Sequence, residues 1–274
     1  MKPSMRSCVA CAVSALLASF AAQAQTNATD ISQTQAGLLQ KQQMDLGNTQ
    51  GSGKATVNAK NVSQGQAGLL NNQQMSIGNA NQGGKSNVNV QNVKQGQAGL
   101  LNNQKMSIGD ADRGKSDVKT GATVMQGQAG LLQNQEMNLG SVSGTGQSKV
   151  RTGVVMQGQA GLLNSQNMNV GGVSGSGKSS VNTGLVVQGQ AGLLQRQNME
   201  IGSSSGSGQS KVNVGAAIQG QAGLLNNQDM KIGTASGNGK SNVNVGAAID
   251  RAKAELVSGS DGLPAFHAAA GHEH

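Results

Sequence analysis

The chain has almost no aromatic side chains, almost no proline and almost no cysteine. Its 274 residues include two Phe, no Trp, no Tyr, two Pro and two Cys. Aromatic side chains supply much of the buried area in ordinary domains, so their shortage argues against a conventional globular core. Both cysteines, Cys8 and Cys11, lie close to the N-terminus. The rest of the chain therefore holds neither disulfides nor thiolate metal sites.

The N-terminal segment has the pattern of a secretory signal peptide. Lys2 and Arg6 precede an apolar run at 9–22, and Ala22-Gln-Ala24 is a small-x-small cleavage site. We therefore expect residues 1–24 to be removed and the mature chain to be exported, to the cell surface or beyond, with the periplasm as the alternative. No second apolar run is long enough to span a bilayer, so no membrane span is expected.

The rest of the chain is built on one repeat. The sequence Gln-Ala-Gly-Leu-Leu recurs every 31 residues, beginning at Gln35, Gln66, Gln97, Gln128, Gln159, Gln190 and Gln221. A constant spacing of this kind is typical of stacked units that each cover the next. We expect a flexible lead-in at 25–32, seven units in 33–249, and a C-terminal cap and tail at 250–274 that begins with a short helix.

Within a unit, counted from its first Gln, alternation of apolar and polar residues predicts half-buried strands. Position 12 is always Met, position 14 is Leu, Ile or Val, and the positions between them vary. After a Gly-rich turn comes a second alternating run, such as 210–214. If its phase continues, Val212, Val214, Ala216, Ile218 and the positions equivalent to Ala191 and Leu193 face one side.

The predicted fold is all-β, a parallel β-solenoid of seven 31-residue coils. Antiparallel hairpins laid side by side are the alternative. A helix over AGLLNNQQM is disfavoured, because Gly and Asn-Asn interrupt it and no capping residue precedes it.

Stacking places identical side chains above one another, as in cross-β structures. Position 8 is always Asn or Gln, and amides at these positions can form hydrogen-bonded columns. The predicted structural columns are the glutamines of position 10 and the methionines of position 12: Gln42, Gln73, Gln104, Gln135, Gln166, Gln197 and Gln228, with Met44, Met75, Met106, Met137, Met168, Met199 and Met230.

The segment Gln66-Ala-Gly68-Leu-Leu-Asn71, repeated in units two, three, five and seven, resembles the QxGxxN half of the curlin repeat. The other units carry Gln in place of the Asn. Curlins are exported bacterial subunits that form amyloid fibres on the cell surface. The resemblance implies self-association into fibres, with a role in adhesion or biofilm matrix.

No enzymatic activity is expected, and no cofactor. The repeats contain no histidine or cysteine. Gly109–Ser116 and Gly172–Ser179 match the P-loop pattern, but β-like sequence follows where a helix should receive the phosphate. The acids fall at scattered positions expected to face solvent: Asp45, Asp110, Asp112, Asp117, Glu136, Glu200 and Asp229. All the histidines lie in the tail and are weak candidates for metal ligands: His267, His272 and His274.

The formal net charge is +8. Lysines recur after the Gly-rich turn, and stacking would align them into a sparse basic row: Lys54, Lys85, Lys115, Lys178 and Lys240. Without aromatic residues for base stacking, specific nucleic-acid recognition is not expected. The sequence thus predicts a secreted structural or adhesive protein; the alternative is a monomeric binding module for surface polysaccharide or another polyanion.

Overall fold

The computed structural model describes residues 23–49 and 51–253, and these residues form strands and turns without a helix. Every strand pairing among them is parallel, and residue i lies beside residue i+31 except at 115–120, where the separation is 30 residues to the preceding coil and 32 to the following one. Met75, for example, lies between Met44 and Met106. The predicted solenoid is confirmed, with about seven turns about 31 residues apart. Antiparallel hairpins are excluded for this part of the chain.

Each coil contains a long and a short strand that meet at a corner. β1 and β2 run through the corner unbroken, whereas later coils divide there, and three short strands form a separate small sheet. The strands are β1 (Gln23–Leu46), β2 (Lys54–Ile77), β3 (Lys85–Ala98), β4 (Leu101–Ile108), β5 (Lys115–Ala129), β6 (Leu132–Leu139), β7 (Val142–Gly144), β8 (Gln147–Ala160), β9 (Leu163–Val170), β10 (Val173–Gly175), β11 (Lys178–Ala191), β12 (Leu194–Ile201), β13 (Ser204–Gly206), β14 (Gln209–Ala222), β15 (Leu225–Ile232) and β16 (Lys240–Lys253).

The core lies between the long and the short strands. Short strands contribute the methionine of position 12 and the aliphatic residue of position 14, such as Met106 and Ile108. Long strands contribute valines, such as Val88 and Val93, and all four are fully buried. Each coil supplies only a few aliphatic side chains, so a continuous core forms only when coils stack.

The predicted phase of the second run is wrong beyond Val214. Val212 and Val214 are buried, but Gly215 is exposed, Ala217 is buried, and the leucine at 224 is exposed. Gly215 and its neighbour Gly184 have no partner in the strand register. This unpaired residue shifts the alternation by one, as a bulge does, so glutamines face inward and the leucine pair faces outward.

Both ends also differ from the expectations. Residues 25–32, expected to be flexible, belong to β1 and pair with β2, where Asn58 Nδ2 donates to Asn27 Oδ1 at 2.9 Å. The expected cap begins as strand, because residues 250–253 extend β16. The signal segment up to residue 22 and the tail from residue 254 lie outside the described residues.

Candidate functional site: amide columns, coil ends and the leucine face

The position-10 glutamines form one buried column along the solenoid. Gln104 Nε2 donates to Gln73 Oε1 at 2.8 Å, and Gln135 Nε2 donates to Gln104 Oε1 at 2.8 Å. The same bond links every neighbour from Gln42 to Gln228. The position-12 methionines pair in the same register and are buried from Met44 to Met199, while Met230 at the last coil is partly buried.

Two further glutamine columns, at positions 1 and 3, were missed by the sequence reasoning. Gln128 Nε2 donates to Gln97 Oε1 at 2.7 Å and to the carbonyl oxygen of Asn134 at 3.2 Å. Gln126 makes the equivalent pair of bonds with Gln95 and Glu136. Each amide therefore bonds along the column and across the core. The signal was the repeated Gln-x-Gln spacing, which gives two residues on one face of a strand.

The position-8 amides close the corner, and one amide–amide bond of the predicted column is also present, from Asn71 Nδ2 to Asn102 Oδ1 at 2.9 Å. Asn102 Nδ2 donates to the carbonyl oxygens of Gly99 at 3.2 Å and of Ala129 in the next coil at 3.0 Å. Gln195 makes the same two contacts, with Gly192 and Ala222. Either amide satisfies the corner carbonyls, which explains why Asn and Gln alternate at this position.

The position-10 column ends in an unsatisfied hydrogen-bond donor on one side and an unsatisfied acceptor on the other. Among the described residues, Gln42 Nε2 at the N-terminal end has no acceptor, and Gln228 Oε1 at the C-terminal end has no donor. Gln219 Oε1 and Gln221 Oε1 are also unpaired, because β16 places Asp250 and an alanine over them. Buried amide groups are normally satisfied, so the ends of the position-10 column require an explanation.

The leucine pair at each corner forms an exposed apolar surface. Leu131 and Leu132 keep 44% and 42% of their surface accessible, and the leucine pairs of the six other coils are exposed in the same way. Two adjacent residues of a strand cannot both point inward, so the Leu-Leu pair itself signalled that at least one faces out. The leucine face consists of Leu38, Leu39, Leu69, Leu70, Leu100, Leu101, Leu131, Leu132, Leu162, Leu163, Leu193, Leu194, Leu224 and Leu225.

The predicted lysine row is aligned by the strand register. Lys54 pairs with Lys85, and Lys85 pairs with Lys115, although the third unit has a turn one residue shorter. A register shift between Val90 and Asn92 of β3, opposite Thr120 and Thr123 of β5, absorbs the extra residue of that unit. Gln147 and Gln209 interrupt the row before Lys178 and Lys240.

The acids were all expected to face solvent, but four of them are half-buried: Asp110, Asp112, Glu136 and Glu200. The Oδ1 of Asp110 accepts the backbone N–H of Ser141 at 2.9 Å. Burial raises the pKa of Asp110 to about 6, while the hydrogen bond from Ser141 and the charge of Lys105 oppose this rise. Asp110 lies at a turn position where preceding coils carry Asn48 and Asn79, whose side chains make the same bond.

The described residues contain no group of three or more His, Cys, Asp or Glu placed to hold a metal. The three histidines named as candidate metal ligands, His267, His272 and His274, lie outside the described residues. Both P-loop-like turns lead directly into strands, β5 and β11. These turns therefore lack the helix N-terminus that receives a phosphate.

Within residues 23–49 and 51–253, no helix has the length and apolar character needed to cross a membrane. Comparison of the chain with protein-family models, curated proteins and solved structures gives no match.

Proposed function

We propose that this protein is an exported structural subunit that assembles end to end into an extracellular fibre with an adhesive or biofilm-matrix role. The observation that carries the proposal is the complementarity of the column ends. Within the part of the chain that the structure describes, the amide donor of Gln42 and the amide acceptor of Gln228 have no partner. The QxGxxN resemblance to curlin repeats supports the same kind of assembly.

The open strand edges support this arrangement. Among the described residues β1 pairs only with β2, β15 only with β12, and β16 only with β14. An uncovered edge is a template for another strand. Contact between unlike ends of identical subunits is heterologous and does not close, so it generates a filament.

The two ends are offset by half a coil, which defines the junction. β16 lies over the long strands, whereas no described strand lies over β15. At the junction, residues 39–46 of one copy stack on β15 of the preceding copy. β16 of the preceding copy then pairs with β2 of the next copy, in the place that residues 23–36 occupy in the single chain. β16 fits this place because Val243 and Val245 repeat the apolar pattern, whereas β1 has Thr26 and Ala28 there.

The Gln42→Glu variant tests this junction. The Glu side chain still accepts from Gln73 Nε2, as Gln42 does at 2.9 Å, but it cannot donate to Gln228 of a preceding copy. We expect the purified wild-type protein to form thioflavin-positive, detergent-resistant fibres with a ~4.8 Å meridional reflection. Elongation of Gln42→Glu should be at least ~10-fold slower, because a junction donor is replaced by a charge.

The control is Gln74→Glu, which adds the same charge on the exposed side of β2, one coil in from the end. It should polymerise like the wild type. A wild-type protein that stays monomeric in sedimentation at high concentration would exclude the fibre proposal. Export is checked separately by isolating the extracellular chain and sequencing its N-terminus, which should be Gln25.

The aligned lysine row favours a second candidate function, the binding of acidic surface polysaccharide. Lys54, Lys85 and Lys115 are exposed and occupy consecutive coils, which gives positive charges ~5 Å apart. Replacing all three by Gln should abolish salt-sensitive binding to an acidic polysaccharide. Equal binding by this variant would eliminate the row as the site.

A further inference from the structure

The leucine face has the shape of a ridge beside a groove. The ridge is the first leucine of each pair: Leu38, Leu69, Leu100, Leu131, Leu162, Leu193 and Leu224. The groove has a volume of about 950 Å³. It runs through all seven coils and is lined by the second leucines, by position-8 amides and by position-9 side chains such as Asn103 and Asn134.

The ridge has open space on its other side as well. There the small residues Gly96 and Ala98, repeated in neighbouring coils, line a second trough of about 790 Å³. The corner below is fixed by the position-8 amide, as Asn102 is held to Gly99 and Ala129. The leucines are therefore presented in a rigid, straight row.

We propose that the leucine face is a lateral interface, on which a second copy of this chain docks with its leucine ridge in the groove of the first. The two copies lie antiparallel and are related by a two-fold axis. This contact uses a different surface from the fibre ends and does not depend on the proposed end-to-end assembly.

The repeat distance selects a second copy over other occupants. Coils follow one another every ~4.8 Å, while same-face residues of an extended peptide lie ~6.7 Å apart. The turns of a helix repeat every ~5.4 Å, so a helix drifts out of register by about 4 Å over seven coils. A second solenoid has the same spacing as the groove and stays in register along its whole length.

The area of the face is sufficient for a stable pair. Fourteen leucines, most of them more than 40% accessible, offer roughly 1,000 Å² per copy. A standard stable interface buries ~800 Å² per partner. Exposed apolar patches on monomers rarely exceed a few hundred Å². The face thus exceeds what a monomer leaves uncovered.

The charges on the groove edge favour the antiparallel arrangement. Position 9 is neutral in five coils, and the two cations are Lys41 in the first coil and Arg196 in the sixth. In a parallel pair, Lys41 of one copy lies opposite Lys41 of the other, and Arg196 lies opposite Arg196, so like charges face each other. In the antiparallel pair, Arg196 lies opposite Asn72, and Lys41 lies opposite the last coil, where position 9 is Asn227.

The test uses the full chain carrying Gln42→Glu, freshly purified, so that end-to-end growth is slow during the measurement. Sedimentation at up to ~100 µM should show a dimer. The triple variant Leu100→Gln, Leu131→Gln, Leu162→Gln should weaken dimerisation at least ~100-fold, because six leucines leave the contact. A control with Asn89→Gln, Lys119→Gln and Arg151→Gln, exposed on the long strands, should dimerise normally. A monomeric parent, or a triple leucine variant that still dimerises, overturns the proposal.

Two further measurements distinguish the antiparallel from the parallel pair, and a second copy from a lipid surface. Asn72→Glu places an acid opposite Arg196 only in the antiparallel pair, so dimerisation should tighten several-fold relative to Asn72→Gln; weaker dimerisation overturns the antiparallel arrangement. Flotation with neutral phosphatidylcholine vesicles should leave the protein unbound. A parent that stays monomeric and floats with the vesicles in a leucine-dependent way overturns the proposal in favour of a lipid surface.

Discussion

Gln104 Nε2 donates to Gln73 Oε1 of the preceding coil at 2.8 Å. Repeated along the solenoid, this bond gives the column a direction, since every amide donates toward the N-terminus and accepts from the C-terminal side. Three such columns, at positions 1, 3 and 10, occupy interior space that aromatic residues fill in other domains. In a buried setting each satisfied amide specifies one register, because a shifted coil would leave amide groups unpaired.

The direction of the columns makes Gln→Glu substitutions depend on position. Glu at 135 still accepts from Gln166 but faces Gln104 Oε1 with a buried negative charge. We expect Gln135→Glu to lose about 3–5 kcal/mol of unfolding free energy at pH 7. The loss should shrink as the pH falls toward ~4, where the acid is protonated and can donate. Gln42→Glu, which has no acceptor below it, should lose much less. Denaturant titrations of both variants measure the difference, and equal losses would contradict the assigned direction.

The sequence predicted the parallel register correctly. It did not predict which residues of a coil point inward after Val214. The constant 31-residue spacing leaves little freedom in register, so Met75 beside Met106 follows from the repeat alone. The shift at Gly215 breaks the two-residue alternation, so it does not follow from that pattern. Its signal was the glycine that recurs inside the strand at 153, 184, 215 and 246. The shift reverses which side the following residues face, so Gln219 and Gln221 became core residues and the leucines became a surface. At 25–32, Asn27, Ala28 and Ile31 match Asn58, Ala59 and Val62, and this degenerate repeat was read as a flexible segment.

The methionine column tests whether the core is continuous. Met137 is fully buried and pairs with Met106 and Met168. Met137→Ala should reduce the unfolding free energy by about 2–5 kcal/mol, because rigid neighbouring coils cannot collapse into the cavity. Asn134→Ala, on the exposed side of the same strand, should change it by less than ~0.5 kcal/mol. Similar effects of the two substitutions in thermal unfolding would mean that position 12 is not core.

Asp110 should make stability depend on pH. Its pKa of about 6 in the folded state lies above the ordinary value of 3.8, so the folded chain binds the proton more tightly than the unfolded chain. Stability is then greatest below pH ~4, falls as the pH rises through about 6, and is flat above.

Asp110→Asn keeps the Oδ1 acceptor for Ser141 and removes the charge. It should be more stable than the wild type by about 1–2 kcal/mol at pH 7.5, less than the ~3 kcal/mol of a fully desolvated two-unit shift. The difference should disappear near pH 4. Thermal unfolding of both proteins at the two pH values measures this, and a gain that is equal at both would assign the effect to something other than ionisation.

Two glycines of the fourth unit should respond oppositely to alanine. A Cβ on Gly130, at the corner, would overlap the backbone carbonyl oxygen of Gly99 in the coil below, whereas a Cβ on Gly127 meets nothing within 4 Å. Backbone atoms cannot move aside without separating the coils, so Gly130→Ala should lose more than ~3 kcal/mol. Gly127→Ala should be neutral or gain up to ~1 kcal/mol, because it restricts only the unfolded chain. Chemical denaturation of the two alanine variants and the wild type measures these changes in unfolding free energy. A tolerated alanine at 130 would mean that the corners do not stack closely enough to hold the leucines in a straight row.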